Sequence, residues 1–133
     1  MVAIGIALDA GYQTCVDGSG WRTVRCPAWL FDVEYLPRRV TVRLRRLSPL
    51  FRVAASPTTG GRRWLNQCPH CGAAQEDDYL HGEPDVAFMP FAARVARRIE
   101  LHAIEVPFAA VIGGFGDDPP LFAEMRRADD AIG

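Results

Sequence analysis

Cys68-Pro69-His70-Cys71-Gly72 is the stretch from which the rest of the chain takes its reading. Two thiolates three positions apart on a tight turn can hold two corners of a tetrahedral zinc site. Pro69 pre-sets the turn, and Gly72 can take the positive φ that such a knuckle needs just after its second ligand. Structural zinc takes four ligands, so this pentapeptide supplies half of a site. A second Cys-x-x-Cys is absent. Cys26-Pro27-Ala28-Trp29 begins as one and sets a tryptophan where the second cysteine should stand. His70 reads as an exposed spacer between the two thiols.

With its flanks, Asn66-Gln67-Cys68-Pro69-His70-Cys71-Gly72-Ala73-Ala74-Gln75-Glu76-Asp77-Asp78-Tyr79-Leu80-His81, the knuckle resembles the second knuckle of small bacterial zinc-ribbon domains. The resemblance implies a β-rich, zinc-ribbon-like core and a structural Zn2+. Domains of this kind commonly carry a first knuckle upstream, on a neighbouring β-hairpin. Cys26 lies 42 positions before Cys68 and matches that first ligand. Metal ligands are then Cys26, Cys68 and Cys71, and three completions are open. Cys15 reaches the site across the first hairpin; His81 serves as a nitrogen ligand; or the site has decayed, with Trp29 as a hydrophobic plug.

Upstream of the knuckle, Arg39-Val40-Thr41-Val42-Arg43-Leu44-Arg45 alternates over seven positions. Val40, Val42 and Leu44 fall on one face, with Arg39, Thr41, Arg43 and Arg45 on the other. This period of two predicts a half-buried strand with a basic outer stripe. After the Ser48-Pro49 break, residues 50–55 pair back on it, and residues 56–61 form a polar, flexible loop. Residues 2–8 read as a first strand, 17–20 as the turn that reverses it, and 21–25 as the returning strand. Residues 29–35 form an extended aromatic-rich run that stops at Pro37.

Beyond Gly72 the pattern changes. Residues 82–85 form a loop. Pro90 opens a short helix with Phe91, Val95 and Ile99 on its apolar face. Residues 99–106 can make a closing strand, and 113–116 read as a glycine turn. Asp118-Pro119 caps a last helix over 121–128, and the acidic end 129–133 frays. The expected fold class is α+β: a zinc-ribbon-like core of short antiparallel strands over about 20–81, then an acidic, partly helical section over about 82–133. With 133 residues, both belong to a single domain.

A hydrophobic content of 49% against 23% charged residues excludes a disordered chain. All 15 basic residues are arginine, each able to form a bidentate pair with carboxylate or phosphate. A net charge of -1 conceals a balance of +8 over residues 22–63 and -7 over 72–133. If the halves pair with each other, the surface is mixed and neutral. If the arginines share a face, they form an anion site.

The favoured reading is a non-enzymatic cytosolic bacterial adaptor, regulator or inhibitor. It engages an acidic protein surface or nucleic acid through Arg39, Arg43, Arg45, Arg62 and Arg63. Alternate residues of a strand lie roughly 7 Å apart, similar to successive phosphates, and Trp21, Tyr35 or Trp64 can stack on bases. A solvated outer face is the plainer reading of the same stripe. The alternative function is self-association into a homo-oligomer, the basic half of one chain meeting the acidic half of another. A zinc-dependent hydrolase is a third option, for which no motif places a base. Residues 113–116 lack the Lys-Ser/Thr ending of a phosphate loop, and no serine elbow is present. No apolar stretch is long enough to span a bilayer and no secretion signal is recognised, so a cytoplasmic location with thiols or a metal is expected rather than disulfides.

Overall fold

Ala28-Trp29-Leu30-Phe31 opens a strand whose apolar side chains serve two separate cores, and the rest of the chain is arranged around it. A computed structural model describes residues 3–6, 12–15, 18, 20–77, 80, 88–117, 119 and 121–128. The chain is α+β, with short, mostly antiparallel strands and short helices. The organising strand, β4 (Ala28–Tyr35), lies between β1 (Ile4–Ile6) and β9 (Val111–Asp117) in an antiparallel sheet. β2 (Tyr12–Cys15) and β3 (Trp21–Val24) form a separate hairpin. β3 therefore returns along β2 rather than along the first strand; Asp17 and Ser19 of the expected turn lie outside the described residues. The first strand pairs instead with β4, Ile4 opposite Leu30, where its isoleucines meet a core.

The largest correction concerns the arginine stripe. Residues Arg38–Leu47 form an α-helix, α1, and not a strand. The alternating run also contains the helical spacing, since Val40 and Leu44 are four apart and Leu47 follows three later. Val40 and Leu44 are buried, while Val42 is 41% exposed, which a strand face shared by all three would not allow. Pro37 occupies the N-cap with extended backbone, and the Ser48 N–H closes the other end on the Leu44 carbonyl at 2.8 Å. Arg45 and Arg46 complement the dipole in the last turn.

After α1 the chain makes a second antiparallel sheet in the order β5 (Phe51–Ala55), β6 (Arg62–Gln67), β7 (Ala74–Gln75). β5 therefore pairs with β6, Val53 opposite Trp64, and does not pair back on residues 39–45. The first core gathers Leu30, Val33 and Leu36, Val40 and Leu44 of α1, and Phe51 and Trp64. Phe51 and Trp64 stack obliquely with ring centroids 5.6 Å apart.

The second core gathers Trp29, Leu80, Phe88, Ala96, Ile99 and Met125. Its elements are short: a single helical turn, α2 (Ala93–Ala96), β8 (Glu100–Leu101), a 3-10 turn over Phe122–Glu124, and β10 (Arg126–Arg127), parallel to β8. The helix expected from Pro90 is thus one turn; Ile99 is buried and Phe91 is 63% exposed. The expected last helix over 121–128 is the 3-10 turn followed by β10. Residues 82–85, Asp118 and the tail 129–133 lie outside the described residues.

Residues 113–116 are not a turn but the middle of β9. Their glycines serve close packing. A Cβ on Gly113 would stand 2.8 Å from the Asp32 Cβ, and one on Gly116 would stand 2.9 Å from the Phe31 ring. Alternation sends Trp29 and Leu30 to opposite cores, and Asp32, with φ 52°, is a left-handed residue at which that alternation breaks. Trp29 and Phe31 go to one core and Leu30 and Val33 to the other, an odd spacing that unbroken alternation does not give.

Candidate functional site

The knuckle is formed as the sequence predicts. It closes the β6–β7 hairpin: the Cys68 N–H donates to the Ala73 carbonyl at 2.8 Å, and the Gly72 N–H to the Cys68 carbonyl at 2.9 Å. Gly72 has φ 76°, the left-handed value expected of it, and nothing stands where its Cβ would be, so the requirement is conformational. His70 is exposed, as a spacer should be. Backbone N–H groups of Cys71 and His70 and the Cys71 thiol donate toward the Cys68 sulfur, which lowers its pKa below the ordinary 9.0.

The turn therefore presents two thiols suited to a soft divalent ion. Among the described residues, no three His, Cys, Asp or Glu side chains form a metal-holding group. Cys26, half-buried between β3 and β4, and Cys15, exposed on β2, do not join Cys68 and Cys71 in one. His81 lies outside the described residues. All four cysteines are free thiols, and Trp29 is an integral member of the second core, 5.6 Å from Phe88 between ring centroids. The residues fit one half of a zinc site.

The arginines converge more fully. Residues 38–63 hold eight arginines and no Asp or Glu, and they build α1, β5 and the first two residues of β6. Arg38, Arg39, Arg45, Arg46, Arg52 and Arg62 are exposed. Arg63 is half-buried and is the member of this set with a carboxylate partner among the described residues, Asp32 at 2.9 Å. Arg43 is also half-buried, its Nη1 enclosed without a hydrogen-bond partner among the described residues. Of the five arginines the sequence nominates, Arg39, Arg45 and Arg62 face solvent and Arg63 is engaged internally.

Between α1 and β5 runs an open groove of about 490 Å³. Thr41 and Arg45 of α1 line one side, Pro49, Arg52 and Val53 the other, and Phe51 and Trp64 lie at its floor. Sequence reasoning misses Thr41, Pro49, Phe51, Arg52 and Val53 because the groove exists only when α1 is a helix beside a strand. Of the aromatics nominated for stacking, Trp21 is 70% exposed on β3, Tyr35 lies exposed at the end of β4, and Trp64 is 8% exposed in the core.

The hairpin loop that ends β5 is tied down by Glu76, five residues past the knuckle. Its carboxylate accepts from the Ser56 hydroxyl, from the Thr58 hydroxyl at 2.6 Å and from the Thr58 N–H at 3.3 Å. These donors, with Arg63 nearby, hold its pKa below the ordinary 4.5 against the opposing effect of burial. Next to it, Asp77 accepts the Asp32 N–H at 2.8 Å. The adjacent Glu76 and Asp77 carboxylates thus pin two tertiary contacts. Among the described residues, no helix is long and apolar enough to cross a membrane. No family model, curated protein or solved structure matches the chain.

Proposed function

We propose that this protein is a non-enzymatic binding and regulatory module, acting in the cytoplasm, that holds an acidic protein surface or nucleic acid against α1 and the β5–β6 hairpin. One observation carries the reading: eight arginines and no acid on three consecutive elements, with six of the guanidinium groups in solvent. Concentrated charge of one sign steers an oppositely charged partner and opposes self-association through this face. On the helix, Arg39 and Arg45 of the expected stripe remain outward, while Arg43 is half-buried.

The test is a titration of the full chain with an acidic peptide and with single-stranded and duplex oligonucleotides, repeated over a salt series. Binding to at least one of them should weaken as salt rises, and reversing Arg39, Arg45 and Arg46 to Glu should lower affinity at least tenfold. Unchanged affinity in that variant, or no binding at low salt, rejects the reading.

Structural zinc on Cys68 and Cys71 belongs to the same proposal, supported by the closed knuckle and by donors that favour the thiolate form. The completing ligands are sought among Cys26, Cys15 and His81. Metal analysis of purified protein should find zinc that Cys68→Ser removes; equal zinc in the two proteins means the knuckle is not a ligand.

A further inference from the structure

The free edge of β5 gives the basic face a specific way to grip its partner. Among the described residues, β5 pairs on one side only, with β6. Opposed residues in an antiparallel ladder alternate between pairs that exchange backbone hydrogen bonds and pairs that do not. The Gln67 N–H donates to the Leu50 carbonyl at 2.9 Å, and the Ser56 N–H to the Gly61 carbonyl at 2.8 Å. Both bonds fall on the register that joins Arg52 to Leu65 and Ala54 to Arg63. The backbone groups of Arg52 and Ala54 therefore turn toward β6, and those of Val53 and Ala55 turn outward. The Phe51 N–H is occupied by the Ser48 carbonyl at 3.2 Å. Val53, whose own side chain lines the groove, thus offers a donor and an acceptor along an open edge.

We propose that β5 is a docking edge for an extended acidic segment of a partner protein. The segment adds as a strand beside Val53, sets an apolar side chain in the groove, and brings flanking carboxylates to Arg45 and Arg52. This rests on the reading of the basic face given above and names its occupant. Strand addition supplies affinity through main-chain bonds and specificity through alternate side chains. Charge selects the segment: Arg45 and Arg52 border the groove, and residues 38–63 contain no acid to compete for them.

The same features disfavour other occupants. Phe51 and Trp64 are 3% and 8% exposed, too covered to offer a ring face to a base. A phosphate backbone can accept from an outward N–H but has no donor for the outward C=O beside it, whereas an added strand satisfies both. A second copy pairing edge to edge through β5 would set Arg52 near its equivalent, the device by which charged edges resist self-pairing.

The experiment uses the full chain and a fluorescent peptide of about eight residues in which one valine is flanked by glutamates. Fluorescence anisotropy should show saturable binding. N-methylating alternate peptide amides in one phase should weaken it roughly tenfold, and in the opposite phase hardly at all, because one phase alone faces β5. Arg45→Ala and Arg52→Ala should each weaken it about five- to tenfold. Val53→Pro removes the outward donor at a position where an edge strand tolerates proline, so it should keep its circular-dichroism melt and lose binding. If that variant unfolds, the methylated peptides decide the matter alone.

Equal binding of both methylated peptides overturns strand addition and leaves the basic face standing. Binding of a thymidine oligonucleotide without the peptide overturns it in favour of nucleic acid. Dimerisation in sedimentation that Val53→Pro abolishes overturns it in favour of a second copy. If neither peptide nor oligonucleotide binds, both readings fall.

Discussion

The seven buried residues of the first core come from positions 30–64 and sit on β4, α1, β5, β6 and the short link before α1. The six of the second core are spread from 29 to 125; Trp29 is on β4 and Ala96 on the single turn α2, whereas Phe88, Ile99 and Met125 lie outside helices and strands. The buried residues of the first core therefore come from neighbouring elements, and Ile4, Ile6, Ile112 and Phe115 of the flanking strands pack against them. The second closes long loops before any burial rewards it, and it has little regular backbone to hold it meanwhile. The basic stretch supplies most of the buried residues of the first core. Regular secondary structure concentrates around the first core, so the exposed arginines of α1 and β5 project from the better supported half.

Paired truncations test that contrast most severely. Trp29→Ala removes the largest side chain of the second core and should cost about 3–5 kcal/mol in denaturant unfolding. Leu44→Ala should cost about 2–4 kcal/mol from the first. Native-state hydrogen exchange separates them: Trp29→Ala should deprotect Ile99 and Leu101 first and leave α1 amides protected, whereas Leu44→Ala should deprotect α1. Equal deprotection of both regions by either variant would merge the two cores into one cooperative unit. Val42→Ala is the control, expected within about 0.5 kcal/mol because Val42 is exposed on the helix. A loss matching Leu44→Ala would restore the strand.

A smaller effect is expected at Glu76, which secures the loop at the end of β5. Glu76→Gln should cost about 1 kcal/mol at neutral pH. Because the folded carboxylate titrates below 4.5, its contribution is complete above that value and is lost as pH falls through the folded pKa. Stabilities of the two proteins should thus differ by a constant amount down to about pH 5 and converge in more acid solution. A difference that persists below that range would assign the effect to packing.

What was legible in the chain was what depends on neighbours in sequence. Cys68 to Gly72 specify their own turn, Gly72 takes the left-handed backbone its position demands, and β4 stands out by its aromatic and branched residues. The α+β class, with short antiparallel strands, was legible too. Misreadings arose where two periodicities coincide or where a residue answers to a distant partner. Val40, Val42 and Leu44 satisfy a strand, yet Val40, Leu44 and Leu47 satisfy a helix; the bounding prolines Pro37 and Pro49 were the better signal. Gly113 and Gly116 resemble turn residues locally, but their cause is the proximity of Asp32 and Phe31, about eighty positions away in sequence. The groove was not legible because its walls come from an element read as another kind.

Asp32 carries one more consequence. Alternation already makes β4 a wall common to two interiors, and the left-handed backbone of Asp32 keeps Val33 on the side of Leu30, so the polypeptide has no clean line of division. A fragment that stops before this strand, or starts after it, lacks Trp29 and Leu30 together and leaves apolar side chains of each half facing water. Shortening the strand by one residue on either side of Asp32 would exchange the tenants of the two interiors. Anyone trimming or grafting this chain must carry β4 intact, with its bend.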